Sequence, residues 1–303
     1  MNQTVKTALK AVIGVLGLGL IGGSCFVGYN VHAFNSSLDK VYPVPVPTFA
    51  RSADPLAVER GRHLAQSIAP CTDASCHGAD LAGGATVVMG PLGHFSGPNI
   101  SASGLGAAYS DGELFRVIRH GLKKDGRSVR LMPAHEFGWL PDADIIAIVS
   151  YLRTLPGVAK QNGSTEFGVL AKVLDRREMI PVDVARRIDH EHVELGPAPT
   201  PTADYGRFIG KLCTGCHGEH LSGGPIPGAP PDFAVPLNLT PDESGLKASF
   251  EDFDRLLSTG VRKNGKPIDP LMPVSSYKNF DETERRALWA FLGSLPARTF
   301  GGR

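Results

Sequence analysis

Aromatic residues are scarce in this chain, 7% with two tryptophans, so a core built mainly from large rings is excluded. Neither sign of charge prevails: 31 Lys and Arg against 30 Asp and Glu leave +1, which removes the electrostatic case for a nucleic-acid partner. Strand-like alternation is missing as well, which argues against a sandwich or barrel. Cysteine is rare, and its five copies are placed unevenly. Four fall in two short stretches, "CTDASCHG" at 71–78 and "CTGCHG" at 213–218, and the fifth, Cys25, lies in an apolar run, so no pair is left over for a structural disulfide. What is plentiful is Gly (36) and Pro (24), the composition of loop-rich domains whose small cores need a bound group to complete them.

The apolar run Ala11 to Tyr29 carries no charge over 19 residues. As a helix it spans about 28 Å, against roughly 30 Å of bilayer hydrocarbon. Lys6 and Lys10 precede it and no charge follows until Asp39, so residues 1–10 are expected in the cytoplasm, 11–31 as a transmembrane anchor in the inner membrane, and the bulk of the chain in the periplasm. A cleaved signal peptide with "VHA" at 31–33 as its cut site, or lipidation at Cys25, are the alternatives; Gly22 stands where a lipobox prefers leucine. Residues 32–52, with "VYPVPVPTF" at 41–49, read as an extended proline-rich stalk.

Beyond it the chain repeats. "CHGADLAGG" at 76–84 matches "CHGEHLSGG" at 216–224, "LMP" at 131–133 matches 271–273, and "YLRTLP" at 151–156 matches "FLGSLP" at 291–296, each displaced by 140 residues. "HGLKKDGR" at 120–127 and "TGVRKNGK" at 259–266 are displaced by 139, so small insertions compensate. Domains are therefore expected at 53–157 and 201–303, with a connector at 158–200. Each repeat reads as helical, giving an all-α fold. Asp54 caps a helix opening at Pro55, Ser110 and Glu113 form a capping box, and a third helix begins at Pro141 with Ile145, Ile148, Val149 and Leu152 on its buried stripe. In the second repeat Ser249 with Asp252, and Asp281 with Glu284, mark the corresponding starts. The connector holds one helix-like segment, "TEFGVLAKVLDRR".

"CTGCH" is the pattern for covalent attachment of haem c. Two intervening residues let both sulfurs reach the vinyl groups while the next residue, His217, is carried beneath the iron. A zinc knuckle needs a second ligand pair nearby and a thioredoxin-like site needs a βαβ setting, and neither is present. In "CTDASCH", Cys76 and His77 match Cys216 and His217, while four residues rather than two precede Cys76; the extra pair can bulge so that Cys71 still bonds, with attachment through Cys76 alone, or no haem, as alternatives. Met132 follows His77 by 55 residues, and Met272 follows His217 by 55, each in a Leu-Met-Pro loop rather than on a helical stripe. A thioether is a soft sixth ligand that raises the potential of a haem. Met89, His94, His120 and His135 have no counterpart in register and are expected at the surface or in pockets, and His190 and His192 in a solvated connector.

Each repeat resembles a class I cytochrome c domain: Cys-x-x-Cys-His after a first helix, Met-Pro on a distal loop, and a terminal helix ending in "YLRTLP" or "FLGSLP". The resemblance implies two tandem domains after a single N-terminal transmembrane helix, two covalently bound haem c groups on Cys71, Cys76, Cys213 and Cys216, and irons ligated by His77 with Met132 and by His217 with Met272. It also implies that a first-helix glycine packs on a last-helix aromatic, Gly61 on Tyr151 and Gly206 on Phe291. The whole chain is similar to membrane-anchored dihaem cytochromes and to the cytochrome c subunits of membrane-bound bacterial dehydrogenases, which commonly have three haem domains. The expected function is single-electron relay between redox proteins such as a dehydrogenase, a quinol-oxidising complex, an oxidase or a reaction centre, without substrate turnover. The alternatives are a dihaem oxidoreductase of peroxidase or thiosulfate-oxidising type, which needs an open iron, and a fixed electron-transfer subunit of a respiratory or photosynthetic complex or of a dehydrogenase.

Overall fold

The computed structural model describes residues 3–245 and 248–303. Helix α1 (Gln3–Leu38) is long and apolar enough to cross a membrane, and its most apolar stretch is buried nowhere against the rest of the chain. It does not stop where the apolar run stops. "NVHAFNSSL" contains neither Gly nor Pro to end it, and from Asn30 onward the helix is packed, with Asn30 5% and Phe34 1% exposed. The proline-rich segment that follows forms no helix, and it is not a free spacer. Tyr42 N–H donates to the Gly126 carbonyl (3.0 Å), Arg116 donates to the Val44 carbonyl (3.0 Å), and Phe49 stacks on Phe115, so residues 41–49 are laid along the first repeat. A segment without side chains to pack would need solvent; this one has Tyr42 and Phe49 to bury.

The first repeat comprises α2 (Pro55–Gln66), α3 (Leu105–Ala108), α4 (Asp111–His120), α5 (Ala134–Phe137) and α6 (Asp142–Leu152). After α7 (Val169–Arg176) come α8 (Ala203–His217), α9 (Phe250–Thr259), α10 (Val274–Tyr277) and α11 (Glu282–Ser294). The expected caps are made: Asp54 accepts from Leu56 N–H (3.0 Å), and the Ser110/Glu113 and Asp281/Glu284 boxes are both closed. In each repeat the first helix crosses the last at a glycine. A Cβ on Gly61 would lie 2.0 Å from the Ala147 carbonyl oxygen, and one on Gly206 would lie 1.9 Å from that of Ala287 and 2.8 Å from Phe291 Cβ. Only hydrogen lets the backbones approach this closely.

A small antiparallel sheet was not legible in the sequence. Strands β1 (Val87–Val88), β2 (Gly93–Phe95) and β3 (Glu166–Phe167) pair in that order. Runs of two or three residues carry no measurable alternation. The third strand also takes the first part of the segment read as helix in the connector: Phe167 is buried, Gly168 caps, and α7 begins only at Val169. The connector is folded back over the first repeat. Leu131 N–H donates to the Val182 carbonyl (3.0 Å), and Asp175 accepts from the N–H groups of Val182 and Asp183 (2.9 Å each).

Candidate haem sites at two histidines

α8 runs unbroken through "CTGCH", so Cys213 and His217 stand four apart, the spacing of one helical hydrogen bond. In the first repeat the helix ends at Gln66, and Pro70 with the longer Cys-to-Cys loop follows. The loop turns on itself: Cys76 N–H donates to the Asp73 carbonyl (3.0 Å), and His77 N–H donates to the Cys71 carbonyl (3.1 Å). That bond restores between Cys71 and His77 the backbone relation that the helix gives to Cys213 and His217, with the extra residues looped out.

Both histidines are buried and held the same way. His77 Nδ1 bonds the Pro98 carbonyl (2.8 Å) and His217 Nδ1 bonds the Leu237 carbonyl (2.7 Å), while Nε2 of each has no hydrogen-bond partner among the described residues. A carbonyl fixes the proton on Nδ1 and leaves the Nε2 lone pair for a metal. Burial lowers the proton affinity of both rings, partly offset by the carbonyl, which keeps them neutral as ligands must be. The backbone around them repeats to the detail of an outlier: Leu81 and Leu221 both sit at positive φ (56° and 58°), and the Gly83 and Gly223 N–H groups donate back to the His77 and His217 carbonyls (2.9 and 2.8 Å). Matched strain at non-glycine positions marks a built site.

The carbonyl-bearing loops are braced by a pair that sequence reading missed. Asn99 and Asn238 are both buried. Their side-chain oxygens accept from Ser101 N–H and Oγ (3.0 and 2.7 Å) and from Thr240 N–H and Oγ1 (2.9 and 2.8 Å). Their amides donate to the Val158 and Arg298 carbonyls (2.8 and 2.6 Å), beyond the last helix of each repeat. The signal was present as "PNIS" against "LNLT", displaced by 139 residues.

Met132 and Met272 are half-buried against the main hydrophobic cluster. Each opens the same turn. Ala134 and Val274 N–H groups donate to the two methionine carbonyls (2.8 and 2.7 Å), and Pro133 and Pro273 lead into α5 and α10. Cys71 and Cys213 are buried, which pushes each thiol up to about 12. A disulfide-exchange site does the reverse, depressing its thiol. A neutral imidazole and a neutral thioether suit iron in a porphyrin and make a poor zinc site. The residues therefore fit haem c.

The other candidates lie elsewhere. Met89 packs in a separate cluster with Phe34, and His94 Nε2 bonds Ser164 Oγ (2.9 Å). His135 is half-buried and its proton affinity falls to about 4 through burial. His192 is exposed, as expected, but His190 is not solvated: its ring packs on Tyr42 (centroids 4.7 Å) and its Nδ1 meets that of His120 (3.3 Å). The reason is the folding back of the connector over the first repeat.

The two repeats share one core and meet reciprocally. Trp139, before α6, packs on Tyr205 and Phe208 of α8 (centroids 6.1 and 5.2 Å). At the corresponding place before α11, Asn279 donates to the Gln66 carbonyl (2.9 Å), and within the first turn of α11 buried Glu284 bonds His63 of α2 (2.8 Å). Each methionine-loop helix reaches the cysteine segment of the other repeat: Ser275 and Ser276 donate to Asp73 (2.5 and 3.4 Å), and Glu136 lies 2.9 Å from where a Cβ on Gly215 of α8 would stand.

The family model described as "Cytochrome c" matches residues 58–156 and again 206–296. Among curated proteins, the chain is similar to the alcohol dehydrogenase (quinone) cytochrome c subunit of Gluconobacter oxydans, 31% identical over 112 residues (33% of this chain, 23% of that protein). It is similar also to the fructose dehydrogenase cytochrome subunit of Gluconobacter japonicus, 35% identical over 123 residues (35% and 23%), and to the gluconate 2-dehydrogenase cytochrome c subunit of Pantoea cypripedii, 33% over 94 residues (28% and 21%). The match spans under a quarter of the length of each relative. Two family matches, each enclosing one buried histidine with its cysteines and methionine, make this chain a member of the cytochrome c family.

Proposed function

We propose that the protein is a dihaem electron relay of the inner membrane, anchored by α1 with its haem domains in the periplasm. One haem c is held by Cys71 and Cys76 with His77 and Met132 on its iron, the other by Cys213 and Cys216 with His217 and Met272. The observation that carries the reading is the duplication of one histidine setting, Nδ1 on a loop carbonyl and Nε2 free, each followed at 55 residues by a methionine opening an identical turn. Haem iron, when bound, supplies the one-electron couple. The chain supplies neutral ligands, a buried setting that favours the less charged reduced form, and two domains packed on one core so that little reorganises when an electron arrives.

The similarity to dehydrogenase subunits supports a dehydrogenase as the electron donor, and the packing of residues 41–49 on the first repeat favours a fixed subunit over a shuttle on a loose tether. Filling both sixth positions argues against peroxidase-like turnover. Spectroscopy of the purified protein tests this: both ferric haems low-spin and no carbon monoxide binding at either reduced haem are expected. Met272→Ala should lower the midpoint of the second haem by on the order of 100 mV or more and admit carbon monoxide there. An unaltered midpoint would remove Met272 from the iron.

A further inference from the structure

The last turns of α1 belong to the globular part, and their neighbours indicate which end of the first domain faces the bilayer. Phe34 sits in a cluster with Ala171 and Leu174 of α7, with Leu92 and Phe167 from beside β2 and within β3, and with Val182. The end of α1 lies beside the carboxyl end of α7: Arg127 donates to the Asp39 carbonyl (3.3 Å), the backbones of Arg130 and Asp183 pair in an isolated antiparallel β-bridge, and the Val182 and Asp183 N–H groups are held by Asp175 in the last turn of α7. The amino end of α7 therefore points back along α1, toward the unburied apolar stretch.

Distances along the helices place that end at the membrane surface. Phe34 is five residues beyond Tyr29, about 7–8 Å along the axis, and Leu170 is four residues before Leu174, about 6 Å back. The polar layer on each side of the hydrocarbon is about 5–7 Å thick. At this end stand exposed apolar side chains: Val169 (54% exposed) and Leu170 (36%) at the start of α7, the latter flanked by Gly228, with Val88 (77%) on β1 and Pro91. The sheet ties Val88 through His94 to Glu166, three residues before Val169. Lys172 follows within the first turn with no ion-pair partner among the described residues, suited to a lipid phosphate.

We propose that the rim formed by Val88, Pro91, Val169 and Leu170 rests in the lipid headgroup layer beside α1, so that the first haem domain is mounted on the membrane in one orientation instead of swinging from it. The lipid surface is the occupant because the rim is continuous with the helix that enters it. The proposal rests on the reading of α1 as a membrane helix.

Cysteine accessibility tests it in full-length holoprotein reconstituted into phosphatidylethanolamine/phosphatidylglycerol nanodiscs. In a Cys25→Ser background, Leu170→Cys and Val88→Cys are treated with a membrane-impermeant maleimide and compared with Leu56→Cys, an exposed site on α2 (79%) away from the α7 cluster. Embedding is expected to slow both rim positions at least about tenfold, equivalent to about 1.4 kcal/mol of protection, within what burial of one aliphatic side chain supplies. Rates equal to that of Leu56→Cys, with the haem spectrum intact, would overturn the rim. Leu18→Cys within α1 separates the two readings: if it also reacts like Leu56→Cys, the membrane helix itself is wrong, and if it stays protected while the rim reacts, only the mounting is.

Discussion

At His77 and His217 a backbone carbonyl decides which ring nitrogen keeps its proton, so the chemistry of each residue is set by a loop some twenty residues away. Glu136 is a carboxyl whose setting departs far from the ordinary. Burial pushes its carboxyl up to about 8 from 4.5. Between those values the folded chain holds a proton that the unfolded chain has released, so the stability this group contributes is present below 4.5 and is lost as pH rises to about 8. Glu136→Gln, neutral throughout, is expected to flatten that decline. Thermal melts followed at the haem absorbance across this range test it, and equal slopes in the two proteins would clear Glu136 of the effect.

Among the elements, the two helix crossings matter most. α2 meets α6 and α8 meets α11 with glycine at the closest approach. Gly206→Ala puts a methyl where the Ala287 carbonyl oxygen already is, and overpacking of this kind costs about 1–3 kcal/mol or more. A fall of about 5–10 °C in the melting midpoint is expected. Gly293→Ala, on α11 with nothing within 4 Å, is the control and should hold or raise the midpoint through helix propensity. For Gly206 the aromatic partner implied by family resemblance is in contact, Phe291 Cβ lying 2.8 Å from where that methyl would stand; at Gly61 the nearest atoms are the backbone of Ala147 and Ile148. The capped helix starts could be read directly because Asp54, Ser110 and Asp281 bond groups two or three residues away. The three short strands could not, because each is too short to show alternation and β3 joins Gly93 and His94 from more than seventy residues on.

The whole molecule is two repeats on one core. Leu64, Ile148, Phe208 and Leu288 belong to the same buried cluster, and Arg60 lies between Asp144 (2.9 Å) and fully buried Glu284 (3.9 Å) from opposite repeats. The repeats are therefore expected to unfold together, as a single calorimetric transition of the detergent-solubilised holoprotein. Trp139→Ala removes the aromatic side of the interface at a cost of about 3–5 kcal/mol and should resolve two transitions. Two transitions already present in the unaltered protein would contradict a shared core.

The sequence by itself determined what depends on near neighbours: the cysteine and histidine spacing, the paired Leu-Met-Pro loops, the helix starts, the apolar run and the 140-residue duplication. Tertiary structure alone decided which carbonyls hold the histidines, that residues 41–49 lie on the first repeat, that His190 is packed beside His120, and that each methionine loop reaches across to the cysteine segment of the other repeat. The physical reason is range. A cap or an attachment motif is complete within a few residues, whereas Asp73 and Ser275 stand 202 positions apart and are brought together only by burial of the apolar surface the two repeats share.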